Sequence, residues 1–269
     1  MPELPEVETT LRGLEPHLSG QTIKRIEIRQ PRLRWPVPAQ IQQLQQATIK
    51  SLSRRGKYLI MYTDQGHMIW HLGMSGSMRI LPVSDPSSKH EHIKITFNNT
   101  ISLRYIDPRR FGALLYVDSD PLLHKLIVNL GPEPLSDAFD TDYLHTCCQN
   151  RKTAIKNLIM DSHIVVGVGN IYACESLFLS AINPKTSAGR ISRRRLQKLV
   201  NAIKQVLHRA IAQGGTTLQD FTRTDGQPGY FSQSLNVYGN KGACPRCRQA
   251  VKRITQGQRS TFYCSNCQH

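Results

Sequence analysis

The sequence predicts an α+β protein: an antiparallel β-sandwich behind one leading helix, then a helical region, then a small metal-binding hairpin. Three observations carry this reading. Up to about residue 130, short apolar-alternating runs are separated by turn residues, and no long helices alternate with them as a parallel sheet would need. Beyond that point the apolar period switches to helical spacing. Two Cys-x-x-Cys knuckles then close the chain, at Cys244/Cys247 and Cys264/Cys267.

The leading helix is expected over 5–18, with Val7, Leu11, Leu14 and Leu18 near helical spacing and Pro5 suited to a first turn. Strands are expected at 23–28, 58–62, 68–72, 78–81, 93–97, 101–106 and 111–117, with Asp64-Gln65-Gly66, Asp85-Pro86 and Asn98-Asn99 as turns. Gly131-Pro132-Glu133-Pro134 reads as a hinge or linker. Helices follow at 142–149, 153–161, 170–180 and 192–213. The last has Ser192 as candidate N-cap, an apolar face running from Leu196 to Ile211, and Gly214-Gly215 as its stop. The expected divisions are a sandwich over 1–130, a helical domain over 131–235 and a finger over 236–269.

The chain has 269 residues, 35 Lys+Arg and 19 Asp+Glu, a formal net charge of +16. A field this positive attracts polyanions, nucleic acid first among them; an RNA-binding protein fits the charge equally well. With 39% hydrophobic residues the chain has enough apolar material for a core, which excludes a wholly disordered protein. No run reaches the ~20 apolar residues of a membrane span. The start carries no basic region followed by an apolar one, so no secretory signal is read, and a cytoplasmic location is expected. Seven cysteines, an odd number, argue against a disulfide framework.

Cys244, Cys247, Cys264 and Cys267 can wrap four thiolates around one Zn²⁺, typically as a hairpin finger. Iron–sulfur ligation or a redox dithiol is the rival at this spacing. Four thiolates leave no open coordination position, so the metal is structural. Arg246, Arg248, Lys252, Arg253 and Arg259 in the same stretch suit phosphate contact. Cys147, Cys148 and Cys174 lack knuckle spacing and read as free thiols.

At the other end, the small Pro2 permits removal of Met1, which would expose a secondary amine. An α-amino group titrates near ~7.7–8.0, so part of it is nucleophilic at neutral pH. Attack on an aldehydic carbon gives an iminium, an electron sink, and the Glu3 carboxyl stands next to it to move protons. Alone, Pro2 is also consistent with a merely stiffened terminus. The opening PELPEVETTLRGLEPHLSG, however, resembles the Fpg/Nei family of formamidopyrimidine-DNA glycosylases. So do RLRWPV (32–37), SRRGKYL (53–59), HLGMSGSMRILP (71–82), RYIDPRRFG (104–112), LGPEPL (130–135), KTAIKNLIMD (152–161), VVGVGNIYACESLF (165–178), QGGTTLQDF (213–221), DGQPGYF (225–231) and VYG (237–239). The resemblance runs nearly end to end. Leu4, where endonuclease VIII relatives typically have Gly, points to the formamidopyrimidine branch.

The resemblance implies a β-sandwich, a helix–two-turn–helix domain and a zinc finger, with DNA between the halves. It implies a monomeric, nucleoid-associated repair enzyme that excises 8-oxoguanine and formamidopyrimidines and cuts the strand on both sides of the abasic sugar. In this family pattern Pro2 would be the Schiff-base nucleophile and Glu3 the proton donor in base removal and ring opening. Lys57 would contact phosphate and donate a proton in β-elimination, and Arg259 would serve δ-elimination. His90, Arg109 and Arg151 match DNA-binding positions, and His71 and Asn170 match phosphate-gripping ones. Met74, Arg109 and Phe111 resemble residues inserted where the extruded nucleotide stood. Residues 216–231 correspond to a loop that closes over the flipped base.

From the residues alone, a structural role for His71 and His90 is the lesser alternative; Met74 and Phe111 could lie in the sandwich core, but their flanking polar blocks tilt the reading the other way. Arg151 stands where Lys is frequent and Cys174 where a small non-thiol residue is expected; neither departure touches the proposed chemistry. Two rivals remain at this level: an endonuclease VIII-type enzyme for oxidised pyrimidines, and a non-enzymatic zinc protein binding DNA or RNA. Only Pro2, Glu3 and Lys57 together speak against the second.

Overall fold

A computed structural model describes residues 2–216, 224 and 230–269. The chain divides into two compact units, Met1–Val128 with Gln213–Tyr230, and Asn129–Ala212 with Phe231–His269. Among the described residues no helix is long and apolar enough to cross a membrane.

The first unit opens with α1 (Leu4–Leu18), with Pro in its first turn. Among the described residues eight strands follow: β1 (Ile23–Ile28), β2 (Ile49–Arg55), β3 (Tyr58–Thr63), β4 (Gly66–His71), β5 (Ser77–Pro82), β6 (Glu91–Phe97), β7 (Ile101–Ile106) and β8 (Ala113–Val117). They form two four-stranded sheets, β1-β6-β7-β5 and β2-β3-β4-β8. Every pairing is antiparallel. Ile26, Ile93, Ile95 and Leu103 from one sheet share a core with Leu59, Met61, Met68 and Trp70 from the other. Burial of that shared face drives the sandwich. Helix α1 adds Val7, Leu14 and Leu18 to the same core and is tied to β2 by a 2.8 Å ion pair, Arg54 Nε to Glu8 Oε2.

The sandwich agrees with the sequence reading, with two differences of detail. Strand β2 is absent from the expected list: a bulge between Ile49 and Ser51 breaks its period, and its exposed positions are polar. Strand β8 begins at Ala113 rather than at Phe111, because the Gly112 N–H is taken by the Asp107 carboxylate at 2.8 Å instead of by a ladder.

The second unit contains α2 (Thr141–Cys148), α3 (Ile155–Ile159), α4 (Asn170–Leu179) and α5 (Arg193–Ala212), then the hairpin β9 (Lys252–Gln256) and β10 (Arg259–Tyr263). Leu196, Leu199, Ile203, Val206, Leu207 and Ala210 of α5 are buried against α2 and α4 residues, which is the apolar stripe read from sequence. Helix α3 is shorter than expected, because Ala154 bridges Ser187 and the Ile155 N–H bonds Thr186 O at 2.8 Å. Residues 131–134, expected as a hinge or linker, follow directly on the Val128/Asn129 division between the units. Gly131 N–H donates to Ser162 O at 2.8 Å and Val166 N–H to Pro132 O at 3.2 Å, joining the segment to the connection between α3 and α4.

Candidate active site and nucleic-acid interface

Glu3 is the N-cap of α1, and a reciprocal capping box fixes it. Its side chain accepts the Glu6 N–H, and its own N–H donates to Glu6 Oε2 at 2.7 Å. The other Glu6 oxygen accepts the Thr216 N–H at 2.8 Å. Pro2 is therefore placed at the positive end of a 15-residue helix. Both Pro2 and Glu3 are buried, Glu3 to 1% exposure.

Lys57 lies in the two-residue turn between β2 and β3, made possible by Gly56 at φ +59°. Its charge reaches His71, at the end of β4. Burial, then Lys57 and Arg34, push the imidazole down from 6.5 to about 4, so the ring is neutral at physiological pH. Nδ1 accepts the Gly73 N–H at 3.0 Å, which leaves the proton on Nε2 as an outward donor. The ring packs on Tyr58, its cross-strand neighbour, with centroids 5.1 Å apart.

Met74 and Phe111 are not in the sandwich core: they are 36% and 46% exposed. The Arg109 guanidinium stands 5.2 Å from the Phe111 ring centroid. One Asp107 carboxylate links the two turns that carry them, since Asp107 Oδ1 accepts from Ser75 Oγ at 2.6 Å and Asp107 Oδ2 from Gly112 N. His90 is exposed, at φ +64°, and its carbonyl accepts the Asp107 N–H at 3.0 Å. Sequence reasoning passed over Asp107, although it sits inside RYIDPRRFG.

In the second unit Asn170 begins α4 behind the N-cap Gly169. Its amide is engaged within the unit: Oδ1 accepts from Lys156 Nζ at 2.5 Å and Nδ2 donates to Ser260 O at 2.8 Å. Lys156 is fully buried and also donates to Thr261 Oγ1 at 2.7 Å. Asn170 and the strand carrying Arg259 are thus locked together. Arg259 is exposed beside the two-residue turn of the β9–β10 hairpin. Arg151 lies in the exposed loop between α2 and α3, held by Arg151 N–H to Cys148 O at 3.1 Å. Lys156 was missed from sequence, as was Glu175. The Glu175 carboxylate is 1% exposed and accepts the N–H groups of Asn236, Val237 and Tyr238 at 2.8–2.9 Å, fixing the approach to the finger.

The ligand atoms of Cys244, Cys247, Cys264 and Cys267 all lie within 4.8 Å of one another, with Cys244–Cys267 at 3.9 Å and Cys247–Cys264 at 3.4 Å. Four sulfurs at ~2.3 Å from one tetrahedral ion would stand ~3.8 Å apart, so the donor set fits Zn²⁺. The site holds one structural zinc. Cys174 and Phe178 of α4 pack beneath it with Val237, and Cys147, Cys148 and Cys174 form no disulfide among the described residues. Residues 217–223 and 225–229, most of the expected base-covering loop, lie outside the described residues.

This combination of a β-sandwich, a helical unit and a four-cysteine finger defines a class. Residues 1–114 match the formamidopyrimidine-DNA glycosylase N-terminal domain, 130–222 the formamidopyrimidine-DNA glycosylase H2TH domain, and 243–269 a zinc finger found in FPG and IleRS. Formamidopyrimidine-DNA glycosylases from Saccharophagus degradans and Idiomarina loihiensis are each 53% identical, with 100% of both chains covered. Among solved structures, the Lactococcus lactis protein in complex with DNA containing an abasic site superposes with TM-score 0.92 at 33% identity, covering 99% of each chain. The MutM (FPG) protein of Thermus thermophilus gives 0.89 at 34% identity, over 99% of this chain and 98% of that one. The chain belongs to the formamidopyrimidine-DNA glycosylase family.

Proposed function

We infer that the chain is a DNA glycosylase and abasic-site lyase that removes oxidised purines, 8-oxoguanine and formamidopyrimidines, from duplex DNA. It acts as a monomer, on chromosomal DNA in the cytoplasm at the nucleoid. The observation that carries the mechanism is the Pro2–Glu3 pair at the capped start of α1. With Met1 removed, the Pro2 nitrogen attacks C1′ of the damaged nucleotide; the glycosidic bond breaks, the base leaves with a proton from Glu3, and the Glu3 carboxylate takes the proton that the amine sheds. The positive helix end favours the neutral amine over the ammonium. Glu3, rigidly capped beside it, supplies the proton that opens the sugar ring. The resulting iminium makes the 2′ hydrogen acidic. Its loss breaks the C3′–O bond, and a second elimination breaks the C5′–O bond. Lys57 donates in the first elimination and Arg259 serves the second.

Neutral His71 offers Nε2–H to a phosphate, and Arg109, Arg151, His90 and the Asn170 end of α4 supply further backbone contacts. Exposed Met74 and Phe111, with Arg109 against the ring, suit filling the gap left by an extruded base. Zinc supplies no chemistry to the reaction; it holds the hairpin that presents Arg259. Parallel excision assays on duplexes with 8-oxoguanine and with an oxidised pyrimidine test the substrate class. Preferential 8-oxoguanine release with phosphate on both sides of the gap is expected; preferential pyrimidine release would overturn it.

A further inference from the structure

The turn bearing Met74 and the turn bearing Arg109 and Phe111 belong to different strand connections, yet they are built as one body. Gly73 lies so close to the Phe111–Gly112 backbone that an added Cβ would overlap it, and a Cβ on Gly112 would overlap the Tyr105 hydroxyl. The Asp107 carboxylate, fully buried, is the shared anchor. It accepts from Ser75 Oγ at 2.6 Å, from Tyr105 OH at 3.1 Å and from Gly112 N at 2.8 Å. Ser75 Oγ in turn accepts the Arg109 N–H at 3.1 Å. Burial and the adjacent Asp107 charge push the Tyr105 hydroxyl up, so it stays a donor. The Asp107 main chain extends the unit: its carbonyl bonds His92 Nε2 at 2.7 Å and its N–H bonds the His90 carbonyl.

We propose that Asp107 is a positioning residue for lesion recognition, its buried carboxylate holding the Met74 turn and the Arg109–Phe111 turn as a single platform that enters the duplex. The proposal rests on the reading of Met74, Arg109 and Phe111 as gap-filling residues. A carboxylate bound by three uncharged donors is costly to bury unless its geometry is fixed by rigid turns. The platform gains alignment: an apolar wedge and a cation reach the gap in fixed register, with no loop ordering left to complete on binding.

The test uses the full-length protein and two substrates: a duplex with one 8-oxoguanine, which demands extrusion and gap filling, and a single-stranded abasic oligonucleotide, which demands neither. Asp107→Asn keeps the shape and can keep an oxygen on Tyr105 OH and Gly112 N–H, but its NH2 then faces Ser75 Oγ, which loses its acceptor. With its melting temperature within a few degrees of the parent, it should lose about tenfold in kcat/KM on the duplex and keep single-strand cleavage. Unchanged duplex excision, or equal losses on both substrates, would overturn the proposal. Should Asp107→Asn fail to fold, Ser75→Ala decides: about threefold selective loss on the duplex supports the platform, and no loss overturns it. Phe111→Ala separates the two ideas. Selective duplex loss there with none in Asp107→Asn sinks the positioning role alone, whereas wild-type duplex excision by Phe111→Ala sinks the gap-filling reading and the proposal with it.

Discussion

Burial and two cations act on His71 in the same direction, and the sign of the consequence is fixed. A folded-state value of about 4, below the ordinary 6.5, means that the unfolded chain binds the proton more readily. Stability from this site is therefore complete above pH 6.5 and is lost as pH falls toward 4. Urea titrations should show a loss on the order of 2 kcal/mol by pH 4.5 from His71, and His71→Gln should flatten that slope. Lys156 is a second buried polar group, an amine that donates to Asn170 Oδ1 and Thr261 Oγ1. Lys156→Met strands Asn170 Oδ1 and Thr261 Oγ1, and should cost about 2–3 kcal/mol in a thermal melt. The contrast marks what the chain shows of itself. Pro2, Glu3 and Lys57 stand in long family blocks, which is what makes them candidates. Lys156 was not singled out, because its partner Thr261 is 105 residues away and nothing local signals burial. Asp107 was hidden for the same reason: its partners Ser75 and Gly112 come from separate turns.

Periodicity revealed elements where one face is apolar and failed where something else sets the backbone. Helix α5 and strands β1 and β7 were legible from their stripes and alternation, and four cysteines at knuckle spacing pointed to the finger ahead of its iron–sulfur and dithiol rivals. The bulge in β2 and the bridge from Ala154 to Ser187 erase the period locally, so one strand was missed and α3 was drawn too long. The finger illustrates an element held by a bond rather than by a core. Stripping the metal with a chelator, or Cys247→Ser, should unfold the β9–β10 hairpin and abolish strand cleavage while α1 and the sandwich keep their signals in amide exchange. Restoring zinc to the stripped protein should restore cleavage. Glu175 fixes the segment leading into the finger through three backbone donors, and Glu175→Ala should raise exchange at 236–238 selectively.

At the scale of the molecule, a net charge of +16 explains attraction to DNA but not what is done there. If Lys57, Arg109, Arg151 and Arg259 each neutralise a phosphate, log K against log salt should fall with a slope of about −3.5 or steeper. A slope near zero would remove the electrostatic part of the account. What converts a basic zinc protein into an enzyme is the amine at the start of α1, and one measurement addresses it. The protein is incubated with a duplex carrying 8-oxoguanine opposite cytosine, reduced with borohydride and digested, and the cross-linked peptide is mapped by mass. The account predicts a covalent adduct on the nitrogen of Pro2, with Met1 absent. An adduct on a lysine side chain, or none from zinc-loaded protein lacking Met1, would contradict it.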